Sequence, residues 1–431
     1  MAIQVTHINP RVTLVTEEMN FLKSSVIGFI VDSGSRYENR KTQGLTHLTE
    51  HMFFKGTKDK SAKEIAVMVE SLGATMDGFT SKEISGFILH FLSENFEKVF
   101  DLFFYIMHNM QYDKKELENE KNVVLQEITE SNENPQEHAY ALFSEIMFPD
   151  HPLSFAIAGT PITVKSFTTD DIKNCHYSNW MNRRLCISIA GNINHEYVAD
   201  KLMKMNLKYS DIDYNAKPTP PQQNIDRKII FQSRPDLQQV HTIAGFITVP
   251  LSDERRYALT ILNNIIGGTP SSRANQRLRE KEGLLHTMFT FLDLYSDIGL
   301  WCVYHTSDIK NREHSLNIAM DELSKLKKFG ITKEEFERSV NFSKGMLALS
   351  AEDPMSRMTR NANKFLLLGH TISIEESISA FNSLSYDYVN SLIDMFKLEK
   401  YSGAIIGPIK MEDLGRIGVA PHKIIEKTSR I

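Results

Sequence analysis

The sequence predicts an α+β protein of two homologous domains, each a mainly antiparallel sheet packed with helices. Three observations carry this: a length beyond one core, a proline-rich break near the middle, and a matching order of segments on either side. The chain has 431 residues, whereas single cores stop growing beyond roughly 250–300 residues. The break runs from Asp211 to Lys228 and reads DIDYNAKPTPPQQNIDRK. Pro218, Pro220 and Pro221 remove backbone donors there, and the flanking residues are polar, as an exposed linker requires. The expected division is 1–212, a linker over 213–228, and 229–431.

Each half opens on a strand-like run, SVIGFIV from Ser25 and HTIAGFITV from His241. Each continues with a helical stretch, a further apolar strand and a long charged helix. These helices read KKELENEKNVVLQE from Lys114 and TKEEFERSVNFSKG from Thr332. Late strands ending in glycine close the pattern, LCISIAG from Leu185 and SGAIIG from Ser402. Before them stand similar helix starts, FTTDD from Phe167 and LSYDY from Leu384, where Thr or Ser caps the free N–H groups of a first turn. The parallel order points to a duplication.

Composition narrows the function classes. The formal net charge of −5 lacks the strongly basic face of a nucleic-acid-binding protein, so nucleic acid is not an expected partner. Cys175, Cys186 and Cys302 have no metal-type spacing and are read as reduced, mostly buried thiols. No basic start followed by an apolar run marks a signal peptide, and no run of about 18 apolar residues marks a membrane helix. The expectation is a cytoplasmic protein with no membrane partner.

The segment from Gly44 reads GLTHLTEHMFFKG. On a helix, His47 and His51 lie one turn apart on one face, so both imidazoles reach one metal ion. Glu50 projects near that face, where a carboxylate accepts a proton from a water on the metal. Leu45, Leu48, Phe53 and Phe54 supply an apolar surface to bury the helix. A His pair at this spacing is common on solvated helices; H-x-x-E-H is stricter, the inverse of the H-E-x-x-H zinc signature. Catalytic zinc sites carry three protein ligands, and the helix near Lys114–Asn132 offers Glu116, Glu118, Glu120, Glu127 and Glu130 for the third. Glu120 and Glu127 share one face, two turns apart. Val123, Val124, Leu125 and Ile128 mark part of that helix as buried.

Together these segments resemble the pitrilysin/insulinase family of zinc peptidases, in the shorter two-domain branch that includes mitochondrial processing peptidases. The resemblance spans nearly the whole chain: GLTHLTEHMFFKGT, GATMDGFTSKEISGF from Gly73, ENEKNVVLQEI from Glu118, IAGTPITVKSFTTDDI from Ile157 and IGGTPSSRANQRLREKEGL from Ile266. It implies Glu127, 76 residues beyond His51, as the third zinc ligand and Glu120 as the residue that orients a ligand. It implies hydrolysis of peptides by a zinc-activated water with Glu50 as general base, inside a clam-like chamber. An extended substrate would add to the edge segment holding Asp77, Gly78 and Phe79. Family members usually carry Asn-Ala where this chain has Asp77-Gly78, and an ionised aspartate cannot donate to a substrate carbonyl. The second half resembles the family's inactive domain: Leu259, Leu262 and Asn263 fall opposite His47, Glu50 and His51, and Gly345 opposite Glu127. Arg279 matches a substrate-binding arginine there, and His286 stands where a tyrosine is usual.

Three functions follow as expectations: a zinc endopeptidase acting alone on extended or unfolded peptides or peptide precursors, a catalytic subunit active only with a related partner chain, or a non-catalytic structural or binding subunit. The intact set His47, Glu50, His51 and Glu127 favours catalysis. Relatives of this length frequently pair, so a homodimer or heterodimer is expected.

Overall fold

The computed structural model describes residues 2–205, 207, 218–222, 227–281, 285–397, 400–410 and 423–427; the side chains of 279–281, 285–286 and 312–320 are outside that description. Most of the expected linker therefore lies outside the described residues.

The first sheet consists of β1 (Ile3–His7), β2 (Val12–Glu18), β3 (Ser24–Val31), β4 (Thr75–Thr80), β5 (Ser85–Leu92) and β6 (Leu185–Gly191). Its order is β1-β2-β6-β3-β5-β4. The second consists of β7 (Lys228–Ser233), β8 (Val240–Thr248), β9 (Leu285–Leu294), β10 (Gly299–Ser307), β11 (Ser402–Gly407) and β12 (Lys423–Glu426), in the order β12-β7-β11-β8-β10-β9. The two follow one plan. β2 runs parallel to β6 as β7 does to β11, and the next pairings, β6·β3·β5·β4 and β11·β8·β10·β9, are all antiparallel. They part at the outer strand: β1 is antiparallel to β2, whereas β12 is parallel to β7. The internal duplication is thus visible in topology.

β3 is apolar almost without interruption because both of its faces are covered, the pattern of a central strand. Ile27, Phe29 and Val31 face the helix Phe96–Asn109, and Phe29 stacks on Phe103 with ring centroids 3.5 Å apart. Val26 and Ile30 face Met358, Ala362 and Leu366 of the helix Pro354–Leu368. The helix starts also behave as their sequences imply. Thr168 forms a reciprocal cap with Asp171, and Ser385 accepts from the Tyr388 N–H. All three cysteines are buried and free.

The compact units do not follow the contiguous boundaries 1–212 and 229–431. One comprises Met1–Glu130, Phe155–Thr219 and Ala348–Glu375; the other comprises Ser131–Ser154, Pro220–Leu347 and Glu376–Ile431. The first sheet is covered by a helix from late in the chain, Pro354–Leu368. The second is covered by an early one, Pro135–Met147, whose Leu142, Phe143 and Ile146 pack with Ile243, Leu300 and Ala404. An apolar helix face announces burial but not which sheet will bury it.

A buried ionic cluster ties the late helix into the first unit. Glu17 on β2 receives the Arg357 guanidinium on one oxygen and the Asn361 amide on the other, the latter at 2.9 Å. Replacing Arg357 by Met strands the Glu17 carboxylate in the interior. We expect a loss of about 3–5 kcal/mol in denaturant unfolding of the first unit. The double variant Glu17→Leu/Arg357→Met recovers most of it, because no unpaired charge remains.

Candidate metal centre

The helix Leu45–Phe53 starts after Gly44, whose φ of 91° ends the preceding turn. Two backbone donors at this end, Gly44 N–H and Thr46 N–H, are taken by the Glu38 carboxylate at 2.8 and 2.7 Å. A carboxylate there also complements the helix dipole. Leu48, Met52 and Phe53 are fully buried, and Phe53 stacks on Phe87 at 3.7 Å. Fixing that apolar face leaves His47 and His51 side by side on another, with ring centroids 4.6 Å apart.

The helix Lys114–Glu133 is held by Leu117, Val124 and Ile128. Val123, expected to be buried, is 43% exposed; it lies outside the arc that those three residues define. On the same helix Glu120 is buried and Glu127 is partly exposed. His47 Nε2 and His51 Nε2 lie 3.9 and 3.7 Å from Glu127 Oε2, and the three donor atoms all fall within 4.8 Å of one another. Zinc bonds of about 2.0–2.2 Å put tetrahedral donors roughly 3.4 Å apart, so the two distances to Glu127 close with a contraction of a few tenths of an ångström. The two imidazoles, within 4.8 Å, close by no more than about 1.4 Å. Two imidazoles and a carboxylate are a donor set that suits zinc. Among the described residues this is the one such group.

His51 Nδ1 hydrogen-bonds Glu120 Oε2 at 3.1 Å, and Lys55 Nζ pairs with Glu120 Oε1 at 2.7 Å. The bond engages Nδ1 and leaves Nε2 for a metal. His47 has no such support, since its Nδ1 is buried without a hydrogen-bond partner. Burial, with a smaller contribution from His51, pushes His47 down to about 4, which keeps its imidazole neutral and able to ligate. Burial also pulls His51 down, but Glu120, Glu127 and Glu50 outweigh it and raise it above the usual value. Burial raises Glu50 despite the opposing hydrogen bond from Thr80.

Glu50 faces the edge strand β4. Thr80 Oγ1 donates to Glu50 Oε2 at 2.6 Å, and a Cβ placed on Gly78 would lie 2.7 Å from Glu50 Oε1. Carboxylate and strand are therefore in contact. Asp77 is exposed, with its Oδ1 accepting the Gly78 N–H at 2.9 Å. Phe79 instead packs against the cluster around Val26 and Met358, so its ring is turned away from Glu50. Arg279 lies in the segment Gln276–Lys281 and His286 in β9, but both side chains are outside the described residues. The positions opposite the metal motif are filled: Leu259, Leu262 and Asn263 are buried, and Asn263 Nδ2 donates to the Thr290 carbonyl.

Two residues of this site, Lys55 and Glu38, escaped the sequence reading, and Thr80 enters it only as part of the edge segment 76–81, without its contact to Glu50. Lys55 lies two residues past the end of the helix Leu45–Phe53, where helical spacing no longer says which way a side chain points. Thr80 stands two residues beyond Gly78 and shares its strand face, a signal readable once β4 is placed against Glu50. Glu38 lies in the turn before the motif, where no periodicity applies.

The model of the insulinase family (peptidase family M16) matches residues 13–161, and that of the M16 inactive domain matches 166–342. A Bacillus subtilis protein described as an uncharacterized zinc protease is 32% identical over 397 residues, covering 92% of this chain and 96% of its own. A Streptomyces coelicolor protein described in the same words is 28% identical over 410 residues, covering 94% and 89%. Three solved structures share the fold. They are a Pseudomonas fluorescens structure described as a peptidase M16 inactive domain (TM-score 0.86, 19% identity, 95% of this chain and 98% of that one), a Helicobacter pylori protease (0.85, 19%, 94% and 99%), and a chain of complex III from Candida albicans (0.80, 17%, 96% and 100%). The chain belongs to the insulinase family of peptidases, family M16.

Proposed function

We propose that the chain is a zinc-dependent endopeptidase that hydrolyses extended or unfolded peptides. The observation that carries this is the grouping of one donor atom each from His47, His51 and Glu127, with the Glu50 carboxylate close to His51 and in contact with the edge strand β4. The relatives described as zinc proteases support the choice of metal.

His47, His51 and Glu127 would hold the zinc, and Glu120, braced by Lys55, would orient His51. When bound, zinc supplies Lewis acidity, lowering the pKa of water toward about 7 and polarising the scissile carbonyl. Glu50 accepts the proton of the attacking water and returns it to the leaving amine. Its position suits this work: it is shielded from bulk solvent, its carboxyl is raised above the usual range, and Thr80 holds one oxygen while the other faces Gly78. The β4 backbone offers the peptide a strand to pair with. Pairing with a second copy or a related chain belongs to the same reading, supported by the shared fold of the complex III chain.

Two variants separate metal binding from chemistry. Glu50→Gln retains stoichiometric zinc by metal analysis and loses peptide hydrolysis by at least about a hundredfold. Wild-type cleavage by the zinc-replete variant removes Glu50 as the base. Glu120→Ala weakens zinc binding by about 10–100-fold in a competition titration with a chromogenic chelator; an unchanged affinity means that Glu120 does not orient His51. On the native protein, a mixed unfolded peptide pool with a chelator control tests the activity itself. Cleavage arising only after a related chain is added supports a paired enzyme, and sizing of the purified chain reports its assembly.

A further inference from the structure

Among the described residues β4 is the last strand of its sheet, pairing only with β5, and its backbone groups can be sorted by direction. The hairpin joining the two strands is closed by the Ser81 N–H to the Ile84 carbonyl at 2.9 Å. Antiparallel pairs alternate between bonded and non-bonded. Following the register from Ser81, the residues bonded to β5 are Phe79, Asp77 and Thr75. The other side of β5 agrees. The bond from Asp32 N–H to the Arg184 carbonyl turns Val31, Phe29 and Ile27 toward β5, where they pair with Ser85, Phe87 and Leu89. That leaves Gly86, Ile88 and His90 to bond β4. Met76, Gly78 and Thr80 therefore aim their N–H and C=O groups at the free edge.

At the centre of this edge the Gly78 donor is occupied. Asp77 Oδ1 accepts its N–H at 2.9 Å, the bond that a carbonyl of an added strand would otherwise make. Gly78, like Thr80, lies against Glu50, so a strand that docks here must displace the Asp77 carboxylate beside the bond presented to Glu50. The displaced charge stays exposed, and it lies on the same sheet face as the side chain opposite Asp77 on the new strand. If that strand is antiparallel, Asp77 falls in a non-bonded pair, where Cα atoms are about 4.5 Å apart and side chains are close.

We propose that Asp77 is a specificity-determining residue, which holds the Gly78 N–H closed in the free protein and selects peptides with an Arg or Lys opposite it. That position adjoins the residue lying against Glu50. The proposal names a substrate class for the peptidase reading and rests on peptides docking along β4. Opposite charges across a strand pair contribute modestly, so the selection is a preference rather than an absolute requirement, and it weakens with salt.

The test measures binding, so that it does not depend on hydrolysis. Fluorescent peptides of one otherwise uncharged, unfolded sequence carry Arg or Gln at a single position, moved residue by residue, and are titrated against full-length Glu50→Gln protein at low salt. At one or two positions Arg should bind about two- to fivefold tighter than Gln, and the ratio should approach one in about 1 M salt. Asp77→Asn keeps an oxygen for the Gly78 N–H and removes only the charge, so the ratio should vanish. Asp77→Lys should transfer the preference to Glu-bearing peptides. Equal binding of Arg and Gln peptides at every position, a preference that survives Asp77→Asn, or no binding of any peptide overturns the proposal. An Asp77-dependent preference in a chain whose zinc-loaded native form cleaves none of these peptides would keep this inference and sink the peptidase reading.

Discussion

The hydrogen bond between His51 Nδ1 and Glu120 Oε2, 3.1 Å long and joining residues 69 apart in sequence, determines how the rest of the candidate centre can be built. Glu120 and Glu127 are two helical turns apart, about 10 Å along the axis, too far for both to meet one atom. The His51 ring spans the gap. Its Nδ1 side meets buried Glu120, and its Nε2 side lies 3.7 Å from the more exposed Glu127. The two carboxylates thus take different work from one imidazole, and their difference in burial follows from which side of the ring each occupies. Core packing holds both helices to this geometry, through Leu48, Met52 and Phe53 on one and Leu117, Val124 and Ile128 on the other.

Much of this was legible in the sequence, but by unequal routes. The His47–His51 spacing implied a shared face because helical periodicity is local, and the structure places the two rings 4.6 Å apart. Choosing Glu127 among five glutamates required the family resemblance, since periodicity identifies a face and not the element that crosses it. The burial expected of Val123 failed for a related reason: an apolar residue within a run of apolar residues need not belong to the packed arc. The helices Pro135–Met147 and Pro354–Leu368 show the same limit at a larger scale. Each carries a readable apolar face, yet the sheet it covers lies across the linker in sequence.

The second sheet shows what a duplicated site becomes without its metal set. A carboxylate left in such a place without a cation would bear an uncompensated desolvation cost. Gly345 stands opposite Glu127 in the sequence match, and Leu259 and Leu262, opposite His47 and Glu50, have joined the core. Asn263 keeps a polar function but turns it inward, donating to the Thr290 carbonyl on β9. Removing the ionisable groups and pairing the Asn263 amide nitrogen preserve the layer, although Asn263 Oδ1 stays buried without a hydrogen-bond partner. The strand order survives because the sheet depends on apolar packing and backbone pairing rather than on the ligands.

The edge strand carries two opposed demands. Unpaired backbone groups at a sheet edge invite pairing with any extended chain, and proteins commonly guard such edges with charge. On the proposed reading the edge cannot simply be covered, because Gly78 and Thr80 contact Glu50 and a peptide presented to that carboxylate would pass beside them. A charge alone would repel without occupying the donor, and a bulky cover would block the approach. Asp77 does something narrower. Its carboxylate engages the N–H of Gly78, whose Cα lies against Glu50, with an exposed side chain, and it leaves the edge groups of Met76 and Thr80 unaltered. Glycine at 78 makes this compatible with the buried Glu50 carboxylate, since a Cβ there would crowd it. The pair Asp77-Gly78 is therefore better understood as one unit than as two separate departures from the family's Asn-Ala.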